Sequence, residues 1–383
     1  MFNITSKAPV LFGKGAVEQT GAKAKEFGWK KVICIYDKGI KAAGIVDKVL
    51  ASLKAAEIDF VEYDGVVPDP PDNKCEEAAE IARKANVDGV VGIGGGSSLD
   101  LAKCVNILLT NPSPLSKYYG FNVGLNPVKG AILIPTTAGT GSEVSIVSVI
   151  SDTKNNVKVG VAGEACIAKL AIIDPELTLG LPVRITAETG IDAFTHGLEA
   201  YTSIMAGHYS DLLAEKCMEL VAQNLPIVLK EPQNYQAREN LSFAAMLGGM
   251  AFTDALTHLG HCIAQSMGAV EHVSHGTSCG LAAIMILEYM ADVVPEKTRR
   301  IGEILGLDLA EDLTAEELGK QVAAGFADFC KAAGIPTSLS EAGFKQDNLA
   351  AIAKLVAAEP MLQVAAPKKA DEQQALALLQ KAF

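Results

Sequence analysis

Residues that could bind a metal ion stand in two short segments. TGIDAFTHGLEAY (189–201) places Asp192 and His196 four residues apart, and on a helix this spacing brings both side chains to one face. An Asp and His pair is more often a surface hydrogen bond, but the flanking residues here are apolar, and a buried aspartate is costly unless it is paired or binds a metal. GHCIAQSMGAVEHVSHG (260–276) lies further along the chain and is rich in imidazoles. The candidates to complete the site are His258, His261, His272 and His275. Two of them would give three imidazoles and one carboxylate, which suits Fe(II) or Zn(II) better than calcium or magnesium.

A second group of residues could bind a nucleotide. VVGIGGGSSLDLAK (90–103) places Gly94, Gly95 and Gly96 between an apolar strand and a helix, where backbone amides can approach a pyrophosphate. A plain tight connection explains the glycines equally well, and Ser97 and Ser98 could cap the helix as easily as bind phosphate.

Two further strands end in polar residues. Asp37 follows the strand KVICIY and could bond the ribose hydroxyls and repel the extra phosphate of NADP, or form a turn. PTTAGTGSE (135–143) follows AILI with four hydroxyls and Glu143, which suit contact with a ribose, a phosphate or a nicotinamide amide, although an ordinary surface loop has the same composition. Because these three loops follow three predicted parallel strands, where ligands of open α/β sheets gather, the nucleotide interpretation is favoured.

The elements that must position these residues differ between the two halves of the chain. The first half alternates β-branched runs (31–37, 58–64, 87–96, 131–137 and 169–175) with helical stretches such as 41–56 and 74–85, a pattern typical of βαβ units and a parallel sheet. From Thr186, which could cap the first helix, the periodicity is helical. We therefore predict a Rossmann-like α/β domain at 1–181 and an all-α domain at 182–383.

Composition narrows the class of protein. The 383 residues are 49% hydrophobic and 20% charged, and the net charge of −12 argues against nucleic acid as a partner. No secretory signal is recognisable, and the apolar stretch at 281–294 is too short to cross a bilayer. The eight cysteines form no CxxC pair and are interpreted as reduced, buried thiols. We expect a cytoplasmic protein that acts on small molecules, with no membrane partner.

Taken together, the motifs resemble those of the iron-containing (group III) alcohol dehydrogenase family, whose members include lactaldehyde reductases and 1,3-propanediol dehydrogenases. The resemblance covers essentially the whole chain and rests on FGKGA, YDKG, GGGSSLDLAK, IPTTAGTGSE, IIDPELT…LP, GIDAFTHGLEAY and the final His-Gly pair. It implies a dehydroquinate synthase-like architecture, a homodimer or larger assembly, NAD as cofactor and a catalytic divalent metal: Fe(II), Zn(II) or Mn(II).

Carried over residue by residue, the family's ligands fall on Asp192, His196, His261 and His275. His258 and His272 are then not ligands; each either lines the site or is a solvated helix residue. The residues that we expect at the nucleotide are Asp37, Gly94, Gly95, Gly96, Ser97, Ser98, Asp100, Thr136, Thr137, Thr140, Ser142, Val147 and Lys158.

The sequence also departs from the family pattern. Many members have a titratable histidine one turn after the third ligand, where this chain has Gln265, so His272 or water is expected to take over proton transfer. Near the C-terminus, Ala366 replaces a common asparagine. Phe252 matches an aromatic residue beside the family's pocket, although a core position would explain it equally well.

The predicted activity is hydride transfer between a nicotinamide and a small primary alcohol, a diol or a short functionalised aldehyde, including an anionic one bound by Gln265 and Lys368. One alternative is a glycerol-dehydrogenase-like polyol oxidase. A dehydroquinate-synthase-like lyase is disfavoured because the helical half has few basic residues near its motifs. The alternative of a different class is a catalytically silent nucleotide-binding protein, motivated by Gln265.

Overall fold

The structure is a computed structural model that describes residue 4 and residues 8–121, 125–155, 157–271 and 273–383. This part of the chain divides into two compact units. The α/β unit comprises Ser6–Thr137 and Gly141–Gly180, and the helical unit comprises Leu181–Phe383 together with the short segment Ala138–Thr140.

Nine strands are described in the α/β unit. They are β1 (Val10–Phe12), β2 (Lys31–Ile35), β3 (Asp59–Tyr63), β4 (Gly89–Gly94), β5 (Gly120–Phe121), β6 (Ala131–Pro135), β7 (Val147–Asp152), β8 (Val157–Ala162) and β9 (Leu170–Ile173). Six of them form a parallel sheet in the order β1-β9-β6-β4-β2-β3. Every residue of β4 and of β6 is buried, which is why both read as continuous apolar runs.

The connections of this sheet reverse direction between β2 and β4. The chain leaves β2 for β3 on one side, and leaves β4 for β6 on the other. In open α/β sheets, such a switch point leaves a crevice at the carboxyl ends of the strands, and ligands bind there.

Five helices are described alongside the sheet. They are α1 (Thr20–Glu26), α2 (Lys38–Ala42), α3 (Ile45–Ala55), α4 (Asp72–Lys84) and α5 (Gly96–Leu108). The single helix predicted at 41–56 is wrong, because Gly44 has a φ of 74° and its left-handed backbone separates α2 from α3. A second sheet, β5-β8-β7, pairs β7 and β8 as an antiparallel hairpin that the sequence pattern did not lead us to expect.

The helical unit contains ten described helices. They are α6 (Val183–Thr202), α7 (His208–Lys230), α8 (Tyr235–Ala255), α9 (Leu259–Glu271), α10 (His275–Met290), α11 (Pro295–Ile304), α12 (Ala315–Ala332), α13 (Leu349–Ala358), α14 (Pro360–Ala365) and α15 (Glu372–Lys381). The predicted fold class, a parallel-sheet α/β half followed by an all-helical half, is confirmed.

Helix α6 lies at the centre of the helical unit, packed against α7, α8 and α10, and is buried over most of its length. Gly197 allows the close packing of α7, since a methyl group there would lie 3.0 Å from the carbonyl oxygen of Ala214. The prediction that Thr186 caps this helix is wrong. The helix begins at Val183, so the Thr186 hydroxyl instead donates to the Pro182 carbonyl one turn earlier.

Two expectations from composition can be compared with the structure. All eight cysteines are buried and none forms a disulfide with another, so the prediction that these thiols are buried is confirmed. Among the described residues, no helix is both long and apolar enough to cross a membrane.

Candidate functional site

Three imidazoles converge on one carboxylate in the helical unit. Asp192 and His196 share a face of α6, His261 is in the first turn of α9, and His275 is the first residue of α10. Asp192 Oδ1 lies 3.9 Å from Nε2 of His196, 3.7 Å from Nε2 of His261 and 3.6 Å from Nε2 of His275. The four residues predicted as metal ligands are therefore neighbours, although they come from three helices.

The surroundings of Asp192 fit a metal ion. Its side chain is 4% exposed, and Oδ1 has no hydrogen-bond partner among the described residues. An ionised oxygen buried without a partner costs several kcal/mol, roughly, whereas coordination of a divalent cation removes that penalty. Imidazole and carboxylate donors at this spacing suit Fe(II), Zn(II) or Mn(II).

The charges of this cluster follow from burial and proximity. Burial would raise the pKa of Asp192, but the imidazole of His196, followed by those of His261 and His275, holds it well below its usual range. Burial lowers the pKa of His196 to about 4, so this imidazole is neutral at physiological pH, as a metal ligand must be.

Glu199 supports the cluster from behind and was not predicted. This carboxylate is 1% exposed and accepts hydrogen bonds from the backbone amides of His258, Gly260 and His261 at the start of α9. It also contacts the ring Nδ1 of His261, which directs Nε2 of that ring towards Asp192. Burial favours protonation, yet the imidazoles of His261 and His258 lower the pKa of Glu199 to about 2.

Cys279 is a second residue that was not predicted. It stands one turn after His275 on α10, and its Sγ lies 3.5 Å from Nε2 of His275 and 3.8 Å from Nε2 of His261. Donor atoms of Asp192, His261, His275 and Cys279 all lie within 4.8 Å of one another. Burial raises the pKa of the Cys279 thiol, but the imidazoles of His275 and His261 outweigh burial and hold it below its ordinary value.

Both missed residues have a signal in the sequence. Glu199 follows Asp192 and His196 with i, i+4, i+7 spacing, which continues one face of α6. Cys279 follows His275 at i+4. The expectation that every cysteine is only a core thiol left Cys279 out.

Other predicted residues of this half lie around the cluster. The ring of Phe252 is 4.7 Å from that of His196, and Gln265 is half-buried one turn after His261. His258 is not a solvated residue: it is fully buried, with Nε2 2.9 Å from the Thr202 hydroxyl. His272 lies outside the described residues.

Lys368, one of two residues expected to bind an anionic substrate, has other partners. Its ammonium donates to both carboxylate oxygens of Asp292, at 2.8 and 2.9 Å, and lies 4.5 Å from the ring centre of Tyr289. Its charge is thus already neutralised within the helical unit.

In the α/β unit, Gly94 ends β4 at the switch point of the sheet. Its φ is 144°, and a methyl group there would lie 2.4 Å from Ser98 Oγ, so only glycine fits. Helix α5 follows with Gly95 at its N-cap, and no side chain caps it. Ser97 and Ser98 lie within the first turn and leave the free amides of that turn to another partner. An uncapped N-terminus beside a glycine turn fits a phosphate group.

Residues from the two neighbouring strands approach this turn. Asp37 is the N-cap of α2, and its Oδ1 accepts hydrogen bonds from the amides of Gly39 and Ile40. Its Oδ2 would lie 3.7 Å from a methyl group placed on Gly94. Asp37 is therefore a turn former that also faces the end of β4. After β6, the backbone amide of Thr136 bonds Gly94, and its buried hydroxyl has no partner among the described residues. Thr137 is also close to the turn, since its Oγ1 would lie 3.5 Å from a methyl group placed on Gly95.

The remaining residues of the predicted nucleotide set have partners elsewhere. Asp100 accepts from the Ser142 hydroxyl and from the amide of Val149, which ties α5 to β7. Val147 accepts from the buried ammonium of Lys103, and Lys158 pairs with Asp69 at 2.7 Å. Thr140 belongs to the segment assigned to the helical unit. At the carboxyl ends of β2, β4 and β6, the structure thus gathers Asp37, Gly94, Gly95, Gly96, Ser97, Ser98, Thr136 and Thr137.

Comparison with known families gives a match to nearly the whole chain. The model of the iron-containing alcohol dehydrogenase family matches residues 8–175. The model of the C-terminal domain of the Fe-containing alcohol dehydrogenase family matches residues 186–383.

Individual relatives agree with the family models. The sulfoacetaldehyde reductase of Bilophila wadsworthia is 33% identical over 375 residues, which cover 98% of this chain and 97% of that protein. A crystal structure of a 1,3-propanediol oxidoreductase matches with a TM-score of 0.95 at 31% identity, covering 100% of both chains. The sulfoacetaldehyde reductase of Bifidobacterium kashiwanohense in complex with NAD+ matches with a TM-score of 0.88 at 25% identity, covering 100% of this chain and 98% of that one.

Proposed function

We propose a specific reaction for this chain, which belongs to the iron-containing alcohol dehydrogenase family and is therefore an alcohol and aldehyde oxidoreductase. It transfers a hydride between NAD(H) and a short primary alcohol, diol or functionalised aldehyde, and it requires a divalent metal. The observation that carries the proposal is the buried, unpartnered Asp192 Oδ1, which three imidazole nitrogens surround within 3.9 Å.

Asp192, His196, His261 and His275 are the proposed holders of the metal. When bound, a divalent metal supplies Lewis acidity that polarises the substrate oxygen and stabilises the negative charge developing there. The chain itself keeps this site ready: Glu199 fixes the ring of His261, and the ring of Phe252 packs beside that of His196. Such fixed ligands need little reorganisation during the reaction.

NAD is the proposed ligand at the carboxyl ends of β2, β4 and β6 in the α/β unit. The uncapped start of α5 offers backbone amides to the pyrophosphate, and Gly94 keeps side chains out of that space. The carboxylate oxygen Oδ2 of Asp37 would accept hydrogen bonds from the ribose hydroxyls, and its charge would disfavour the additional phosphate of NADP. The NAD+ complex of the Bifidobacterium reductase supports this choice of cofactor.

For the substrate we propose a short aldehyde with a polar second group. Two of the relatives are named for sulfoacetaldehyde and 1,3-propanediol, which are both small and functionalised. Gln265, on the helix that carries His261, is the proposed partner of that group, because an amide donates and accepts hydrogen bonds. Lys368 is left out of the proposal because Asp292 already neutralises it.

An anaerobic screen tests this function. Purified protein is stripped with a chelator and reloaded with Fe(II), Zn(II) or Mn(II). NADH oxidation is then followed with neutral, hydroxylated and sulfonated short aldehydes, while metal content is measured in the same samples. We expect turnover only in loaded protein. Equal turnover in the stripped protein, or tight NADH binding without turnover on any aldehyde, would contradict the proposal, and the latter outcome would favour a silent nucleotide-binding protein.

A further inference from the structure

We propose that Cys279 is itself a ligand of the metal, and that its sulfur biases the site towards Zn(II) over Mn(II). This inference rests on the metal site proposed above and adds a thiolate to its oxygen and nitrogen donors. Soft thiolate donors favour Zn(II), whereas Mn(II) prefers carboxylate and other oxygen donors.

The geometry of the sulfur supports ligation. Cys279 Sγ and Asp192 Oδ1 face the same two ring nitrogens. Nε2 of His275 lies 3.5 Å from the sulfur and 3.6 Å from the oxygen. Nε2 of His261 lies 3.8 Å from the sulfur and 3.7 Å from the oxygen. Where neighbouring ligands stand about 90–120° apart around zinc, a Zn–S bond of about 2.3 Å and a Zn–N bond of about 2.0 Å place sulfur and nitrogen roughly 3.0–3.7 Å apart. The two observed separations between sulfur and nitrogen lie near the upper end of this range.

A second observation is independent of the cysteine. Asp192 Oδ1 is buried and has no hydrogen-bond partner in the described part of the chain, which is typical of an oxygen that binds a metal ion. The group of four donors within 4.8 Å of one another includes Cys279. His196 does not belong to that group, although its Nε2 lies 3.9 Å from Asp192.

The fold fixes the thiol at this point. Cys279 stands at i+4 from His275 on α10, so both side chains project from one face of the same helix. Its side chain is buried, and water competes little for the sulfur. On binding, the S–H bond breaks, a bond between sulfur and metal forms, and the proton passes to solvent without any electron transfer.

Cobalt provides a direct test, because a thiolate bound to Co(II) gives an intense near-ultraviolet charge-transfer absorption. The stripped full-length protein is titrated with Co(II), and wild type is compared with Cys279→Ser and with the control Cys217→Ser. Cys217 is a buried thiol of the same unit that donates to the Ala193 carbonyl, which a serine hydroxyl can also do. We expect the charge-transfer band in wild type and in Cys217→Ser, and its loss in Cys279→Ser. In the same variant, the preference for Zn(II) over Mn(II), measured by competition, should fall at least about tenfold, which is 1.4 kcal/mol.

The other outcomes separate the two proposals. If wild type binds one Co(II) without the band, Cys279 is not a ligand and the proposed function stands. If wild type binds no Co(II), the metal site of the proposed function fails together with this inference. Should Cys279→Ser not fold, X-ray absorption of zinc-loaded wild type decides: a sulfur neighbour at about 2.3 Å supports ligation, and a shell of nitrogen and oxygen alone overturns it.

Discussion

Replacing Glu199 with glutamine should weaken metal binding although Glu199 is not one of the proposed ligands. Its Oε1 accepts from the amides of His258 and Gly260, and Oε2 accepts from the amide of His261 and contacts Nδ1 of the same ring. Glutamine has nearly the same shape but one oxygen instead of two. Its NH2 group would therefore face two hydrogen-bond donors of His261.

The expected cost follows from those two contacts. Hydrogen bonds to a charged group contribute roughly 1.5–3 kcal/mol each, so losing two destabilises the fold by about 3 kcal/mol or more. Because folded proteins have about 5–15 kcal/mol of stability, the variant should still fold. A histidine ligand that loses its supporting carboxylate binds metal about 10–100-fold more weakly, and we expect a loss of that size.

Competition with a chromophoric chelator measures the zinc affinity, and urea unfolding of the stripped protein measures the stability. Glu296→Gln is the control, because Glu296 is an exposed glutamate of the same unit and should change neither quantity. If Glu199→Gln bound zinc within about threefold of wild type, the carboxylate would not orient His261, and the reasoning would be refuted.

Four further variants test other parts of the protein. Asp192→Ala and His261→Ala should each lose bound metal and turnover while circular dichroism stays native; full activity in either would remove that residue from the ligand set. Asp37→Gly should raise the kcat/KM ratio of NADP to NAD by about tenfold, since a repulsive charge is lost and glycine is a tolerated N-cap. Burial raises the pKa of Glu143 to about 7, so the folded protein keeps a proton that the unfolded chain releases near pH 4.5. The contribution of Glu143 to stability should therefore fall by about 3 kcal/mol as the pH rises from 4.5 to 7, and Glu143→Gln should make the pH slope in urea unfolding shallower by that amount; an unchanged slope would contradict it.

The sheet could be predicted from the sequence wherever burial is complete. β4 and β6 have water on neither face, so their apolar runs have no competing interpretation. The hairpin of β7 and β8 was missed because its strands are only partly buried and carry serines and lysine among the valines. The stretch 41–56 was predicted as one helix because a glycine within a helical pattern can either be tolerated or end the helix, and here the positive φ of Gly44 ends it.

The nucleotide set was predicted too broadly for a related reason. Residue type alone does not distinguish a hydroxyl or carboxylate that meets a ligand from one that fastens the fold. Asp100 and Ser142 bond each other, and Lys158 pairs with Asp69, whereas Thr136 keeps a buried hydroxyl without a described partner. Both kinds of residue occur in the same motifs, so only the geometry of their partners separates them.

The choice among the histidines at 258–275 depends on a contact that no local pattern contains. Helical spacing joins Asp192 to His196, and His275 to Cys279, but nothing within the second segment says which imidazole of α9 turns towards α6. Glu199 supplies that information, because its carboxylate binds the first free amides of α9 and holds the ring of His261. The same carboxylate lies 3.3 Å from Nδ1 of His258, and Nε2 of that ring bonds the Thr202 hydroxyl. Because both of its nitrogens face these residues, His258 has no nitrogen directed to the metal donors. One buried glutamate thus separates a proposed ligand from a structural histidine three residues earlier, and this long-range contact is the part of the site that the spacing of residue types could not encode.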